Sequence, residues 1–221
     1  MPGLTIVIPS KNERNLWACA TAVSDLDNLL PMLAIDDGLK NWPQHVTVLF
    51  GDKPFGFARN VNIGISAALH DDVILLNDDA LLRTPGGFTA MHKASLADPE
   101  FGIISAAVIG PSNSPEHKPQ AGGGLREARG KMVPFVCVLI PRRTIHAVGM
   151  LEERFTGVYG GEDDDYCYRV RRAGLRIGIF DGCVVDHSQL KSTFRPDGRG
   201  LNIAPARARF KEIHGFEMGA R

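Results

Sequence analysis

Short apolar runs that each end in a cluster of polar residues constrain this chain more than any other feature. Leu4 to Ile8 stops at Pro9-Ser10, Met32 to Ile35 stops at Asp36-Asp37-Gly38, and Val73 to Leu76 stops at Asn77-Asp78-Asp79, with a further run at Val46 to Phe50. Runs of this length without polar alternation read as strands buried on both faces of a parallel sheet. Between them, Asn15 to Leu26 reads as a helix, and Phe57 to Leu69 carries Phe57, Val61, Ile63, Gly64, Ala67 and Ala68 at helical spacing. Strands alternating with helices over short connections predict an α/β fold, Rossmann-like, with a mostly parallel central sheet flanked by helices. Ligands bind beyond the carboxyl ends of the strands in such sheets. Pro9 to Glu13, Asp36-Asp37 and Asn77 to Asp79 share that address.

The second half reads differently. Ile103 to Ile109 and Met132 to Ile140 look like strands, separated by Pro111 to Gly130, a stretch rich in Pro, Ser and Gly. A segment this long without periodicity reads as a functional or mobile loop, and acceptor contacts are expected near it. Glu162 to Ala173 reads as a helix closed by Gly174, with Glu162-Asp163-Asp164-Asp165 in its first turn. Strands near Arg176 to Phe180 and Val184-Val185 follow, and the tail from Pro196 is basic and expected to be partly mobile. The chain divides into a first half (1–110), a second half (111–195) and a basic tail (196–221), within one domain.

Lys plus Arg and Asp plus Glu both total 25 over 221 residues, so no net field favours nucleic acid. Charge recognition must come from local clusters, and acids gathered at a strand exit repel one another unless a cation or ligand offsets them. The 4 cysteines are scattered without C-x-x-C spacing, which implies neither a zinc site nor a disulfide framework and fits a reducing, cytoplasmic setting. No run approaches the roughly 18 apolar residues of a spanning helix, so no transmembrane segment is expected.

The ordered motifs resemble the inverting family 2 glycosyltransferases of the GT-A nucleotide-sugar fold, particularly their rhamnosyltransferase-like branch. They are Val7-Ile8-Pro9-Ser10-Lys11-Asn12-Glu13, Ile35-Asp36-Asp37-Gly38, Gly56-Phe57-Ala58-Arg59-Asn60 with Asn62 and Gly64, Leu76-Asn77-Asp78-Asp79-Ala80, Gly161-Glu162-Asp163-Asp164-Asp165 with Arg169 and Gly174, and His187. The resemblance covers residues 4 to 193 and implies a smaller mixed sheet toward the acceptor side. It also implies roles. Pro9, Ser10, Lys11 and Glu13 would form the loop that holds the nucleoside, Asp37 would accept hydrogen bonds from the base, and Arg59 would contact base or phosphate. Asn77-Asp78-Asp79 stands for the D-x-D motif: Asp78 faces ribose and sugar, while Asp79, with His187, holds Mn2+ or Mg2+ at modest affinity. Asp163 would be the general base, and Glu162 would orient the acceptor or cap the helix.

The chemistry needs these groups. A divalent cation offsets charge on a leaving diphosphate, and the acceptor hydroxyl must lose a proton as it attacks. The expected donor is a UDP-sugar, with a dTDP- or UDP-rhamnose donor as the nearest rival, and the acceptor a glycan, glycolipid or protein glycan. Single-sugar transfer is expected because Gln-x-x-Arg-Trp is absent. A homodimer is compatible with this reading. A nucleotidyltransferase on a related sheet and a nucleotide-sugar binding module without turnover are the alternatives. Blander readings apply elsewhere: Asp164 and Asp165 as helix-start acids, Arg169 paired with Asp165 one turn back, Arg142 and Arg143 on solvated helix faces, and Trp17 in the core. The helix start is expected to hold the Asp163 pKa down. Residues 79, 163 and 187 are expected to gather around one cavity.

Overall fold

A computed structural model describes residues 3–51, 53, 55–110, 115–155, 159–189 and 202–220. The first half follows the apolar runs: β1 (Leu4–Ser10), α1 (Glu13–Leu26), β2 (Met32–Asp36), β3 (Thr47–Phe50), α2 (Phe57–Ala67) and β4 (Asp72–Leu76). Then come β5 (Leu81–Leu82), α3 (Gly87–Ala97), β6 (Phe101–Ile109), β7 (Leu125–Glu127), β8 (Cys137–Ile140), α4 (Arg142–Val148), α5 (Glu162–Arg172), β9 (Arg176–Asp186) and α6 (Ala204–His214). Among the described residues all strands join one 9-stranded sheet in the order β3-β2-β1-β4-β8-β6-β9-β5, with β7 added to β9. The β3-β2-β1-β4 half is parallel, and the half beyond β4 is mixed. The mixed portion expected toward the acceptor side is thus continuous with the parallel half.

Alternation along β1 explains the layering. Ile6 and Ile8 point to the face covered by α1 and α3, through Leu16, Cys19, Val23, Phe88 and Met91. Val7 points to the opposite face, covered by α2, α4 and α5 through Val61, Ile65, Ile145, Tyr166 and Val170. Gly64 lets α2 close on that face, because a Cβ there would lie 2.3 Å from Val7 Cγ1. Gly64→Ala is therefore expected to cost about 1–3 kcal/mol through overpacking. An unchanged Tm would show slack between α2 and the sheet.

Several expectations are corrected. Trp17 is 42% exposed, since α1 turns Leu16, Cys19, Ala20 and Val23 inward instead; Trp42 packs partly buried against the same core. Residues 115–130 are pinned rather than patternless: β7 pairs with β9, Arg126 Nε donates to Asp181 Oδ2 at 2.7 Å, and Glu116 accepts the Arg129 and Gly130 backbone N–H groups. Residues 111–114 lie outside the described residues. Arg142 and Arg143 turn their guanidiniums onto the carbonyls of Asp71, Ile65, Ser95 and Phe101 rather than into solvent. The tail contains α6, docked through Ala206 and Phe210 onto Phe155. Among the described residues no helix is long and apolar enough to cross a membrane.

Candidate active site

The strand order places the site. β2 and β3 are laid down on one side of β1 and β4 on the other, so the strand order reverses between β1 and β4 although the two are parallel. Crevices for ligands open at such switch points. Here β1 and β4 pair only as far as Val7–Leu75, whereas β1 and β2 stay paired to Ser10–Asp36. Pro9, which has no N–H to donate, stands just past the point where β1 and β4 part.

Ser10 is enclosed, and its Oγ donates to Asp78 Oδ2 at 2.7 Å; Asn15 Nδ2 reaches Asp78 Oδ1 at 3.4 Å. Ser10, expected on the nucleoside, spends its hydroxyl proton on Asp78. Asn12 caps α1 by accepting from the Asn15 N–H at 3.2 Å, which brings Asn15 within reach. Glu13 is committed as well, its Oε1 accepting the Lys40 N–H at 2.7 Å. Lys11 is exposed, its ammonium 5.4 Å from the Phe55 ring centroid.

The two aspartates after β2 divide their work. Asp36 Oδ1 accepts the N–H groups of Gly38 and Leu39, a tight turn in which Gly38 has φ +115°. The half-buried Asp37 donates its N–H to Ser10 O at 3.1 Å, and its carboxylate takes no hydrogen bond or ion pair among the described residues. Arg59, half-buried in the first turn of α2, likewise has no ion pair among them. Asp36, at the end of β2, is occupied by its own turn, and Asp52 lies outside the described residues.

At the exit of β4, Asn77 donates its N–H to Val136 O and accepts from the Ala80 N–H, a turn that sets Asp78 and Asp79 side by side, 3% and 4% exposed. β5 follows directly and pairs with the end of β9, Leu81 opposite Asp186. That pairing brings His187 to Asp79, Nε2 to Oδ1 at 3.0 Å, across 108 positions of sequence. Asp186 braces the histidine's strand end. Burial would raise its pKa, but hydrogen bonds from Ser188 and Arg83 prevail and hold it at about 2.

The carboxylates of α5 behave against expectation. Burial, with the charges of Asp163 and Asp165 beside it, pushes Glu162 up to about 8. Burial and the neighbouring Asp164 push Asp163 up to about 7, against backbone N–H groups that pull the other way. A helix start supplies only about half a positive charge, too little for four acids in one turn. Asp165 carries the expected pairing, accepting from Arg169 Nε at 2.9 Å and Nη2 at 2.6 Å.

Asp79 and His187 are thus brought together; Asp163 lies in the first turn of α5, where its Oδ1 accepts the Asp164 N–H at 3.0 Å. Among the described residues no three His, Cys, Asp or Glu side chains group closely enough to hold a metal ion. An oxygen and an imidazole nitrogen 3.0 Å apart nevertheless suit a divalent cation as a partial ligand pair. Sequence reasoning missed Asn15, Arg83 and Asp186 as supports, and His214, described below. The cap spacing Asn12 to Asn15 was the one local signal.

Neither a protein family model nor any curated protein sequence matches the chain. Solved structures do, 294 chains in all. The crystal structure of GalNAc-T7 with UDP, GalNAc and Mn2+ superposes with a TM-score of 0.74 at 13% identity, over 96% of this chain and 48% of that one. The mannosyltransferase PcManGT from Pyrobaculum calidifontis, in complex with GDP-Man and Mn2+, gives 0.64 at 17% identity, over 88% of this chain and 59% of that one. This chain therefore spans only about half of the first and under two thirds of the second. At these identities the likeness is one of architecture, and that architecture is the GT-A fold.

Proposed function

We propose that this chain is a metal-dependent, inverting glycosyltransferase that moves one sugar from a nucleotide-diphosphate donor to an acceptor hydroxyl by single displacement. The observation that carries the reading is the meeting of Asp79 and His187 at the carboxyl edge, beside the switch point where Ser10 donates to Asp78. The ligands named for the two structural neighbours, nucleotides or nucleotide sugars with Mn2+, are of the same kind.

Asp79 and His187 would hold Mn2+ or Mg2+, with the donor diphosphate completing the ligand set. Bound there, a divalent cation offsets negative charge on the departing nucleoside diphosphate. Asp37, whose carboxylate takes no hydrogen bond or ion pair among the described residues, accepts N–H groups of the base, and a uridine donor is preferred, with deoxythymidine the rival. Lys11 and Arg59 offer positive charge to base or phosphate. Asp78, fixed by Ser10 and Asn15, addresses ribose and sugar. Asp163 takes the proton of the acceptor hydroxyl, and a pKa of about 7 lets it be charged near neutrality yet basic enough to accept. Glu162, at about 8, is mostly protonated at neutral pH and can donate a hydrogen bond to the acceptor.

A donor-turnover assay tests the reading. With Mn2+ and a panel of UDP-, dTDP- and GDP-sugars, slow release of nucleoside diphosphate is expected, and chelation should abolish it. Pyrophosphate release would instead mark a nucleotidyltransferase, and binding without release a module that has no turnover.

A further inference from the structure

Helix α5 begins at Gly161, in the left-handed region at φ +101°, which has no side chain to cap with. Within the first turn Asp163 Oδ1 accepts the Asp164 N–H at 3.0 Å. That turn also carries Glu162, Asp163, Asp164 and Asp165 together, acids of like charge that repel one another when ionised. A contact from outside the helix steadies it.

Helix α6 supplies the hold. His214 Nε2 meets Asp165 Oδ1 at 2.8 Å, with side chains 9% and 1% exposed, while Arg169 occupies Asp165 Oδ2. The imidazole is fixed by aromatic rings, 4.4 Å from Phe210, 4.8 Å from Tyr168 and 5.9 Å from Phe216. At the other end of α6, Ala206 comes against Gly161, where a built Cβ would lie 3.3 Å from the alanine's. Arg209 donates to the Arg154 carbonyl at 2.8 Å, tying α6 to the segment that precedes α5.

We infer that His214 is a positioning residue for Asp163: by gripping Asp165 in the same first turn, it sets the rotation of the helix start and hence the direction of the proposed base. This rests on the glycosyltransferase reading. A grip of this kind acts on the geometry of proton removal and leaves the nucleotide side, at the ends of β1, β2 and β4, untouched. Misplacement of a reacting group by about 1 Å can cost 10²-fold in rate.

The test uses the full chain with two substitutions. His214→Phe keeps a ring among the aromatics and removes the N–H; His214→Gln restores a donor. For His214→Phe the expected result is a kcat for transfer lowered about tenfold, with donor KM and Mn2+-nucleotide affinity by calorimetry within about twofold. His214→Gln should recover much of the loss. Wild-type kcat in His214→Phe would overturn the inference, as would parallel loss of kcat and nucleotide affinity, or failure of both variants to fold. The wild-type protein is assayed first: no donor turnover there would remove the underlying reading before any variant is made, so the two failures are distinguishable.

Discussion

Asp163→Asn is expected to lower sugar transfer by about 10²-fold or more while Mn2+-nucleotide affinity stays nearly intact. The amide keeps the shape and cannot take the proton. Near-normal turnover would refute the assignment of the base. The same substitution has a second, opposite signature in stability. Asp163 and Glu162 have folded-state pKa values of about 7 and about 8, raised from 3.8 and 4.5 by burial. The folded chain therefore retains protons that the unfolded chain releases. Their contribution is fully present below about pH 4 and is lost as the pH rises through about 7 and 8. For Asp163 alone the shift corresponds to at most about 4 kcal/mol, reduced because the carboxylate is only half-buried. Wild-type Tm should thus fall more steeply between pH 5 and 8 than that of Asp163→Asn, and the variant should be the more stable of the two at pH 8. Parallel Tm profiles would mean that water reaches the carboxylate freely. Activity should rise with pH through an apparent pKa near 7.

Asp79→Ala is the second substitution with a large expected effect. Asp79 is nearly enclosed and meets His187 at 3.0 Å, so its removal would leave the imidazole alone of the proposed ligand pair. Mn2+-dependent nucleotide binding should weaken by at least about tenfold, since loss even of groups that merely orient ligands costs 10–100-fold. Calorimetry with and without Mn2+ separates the metal-linked part from the rest. Metal dependence unchanged from wild type would place the cation elsewhere.

β1, β2 and β4 were legible because a strand buried on both faces is an unbroken apolar run, and Leu76 to Asn77 or Ile35 to Asp36 is an abrupt change of chemistry; β3 is an apolar run too, but lies at the sheet edge with Phe50 exposed. The second half hid its elements. β7 is three residues, Leu-Arg-Glu, with only one turned to the core, and β8 occupies only the end of a longer apolar stretch. α6 left a partial signature: Pro205 at its start, Lys211 and His214 in its last turn, and Gly215 at φ +76° beyond it. The arginines around it invited a solvated reading, and nothing local showed that Phe210 and Phe216 meet Tyr168. The pKa of Asp163 was misjudged for a related reason: a helix start is visible in sequence, whereas the walls that exclude water come from distant segments.

The crossing made just after Asp79 has a mechanical consequence. Within a few residues the chain passes from the end of β4 over the ends of β8 and β6 to lie along the outer margin of β9, where Leu81 faces Asp186 and Leu82 faces Val185. It acts as a strap buckled across the seam between the two halves. Asp79 and His187 sit at its two fastenings, so their spacing is insulated from any shearing of one half against the other. If the proposed function holds, a donor diphosphate would meet a pair of side chains whose spacing is already set before it arrives.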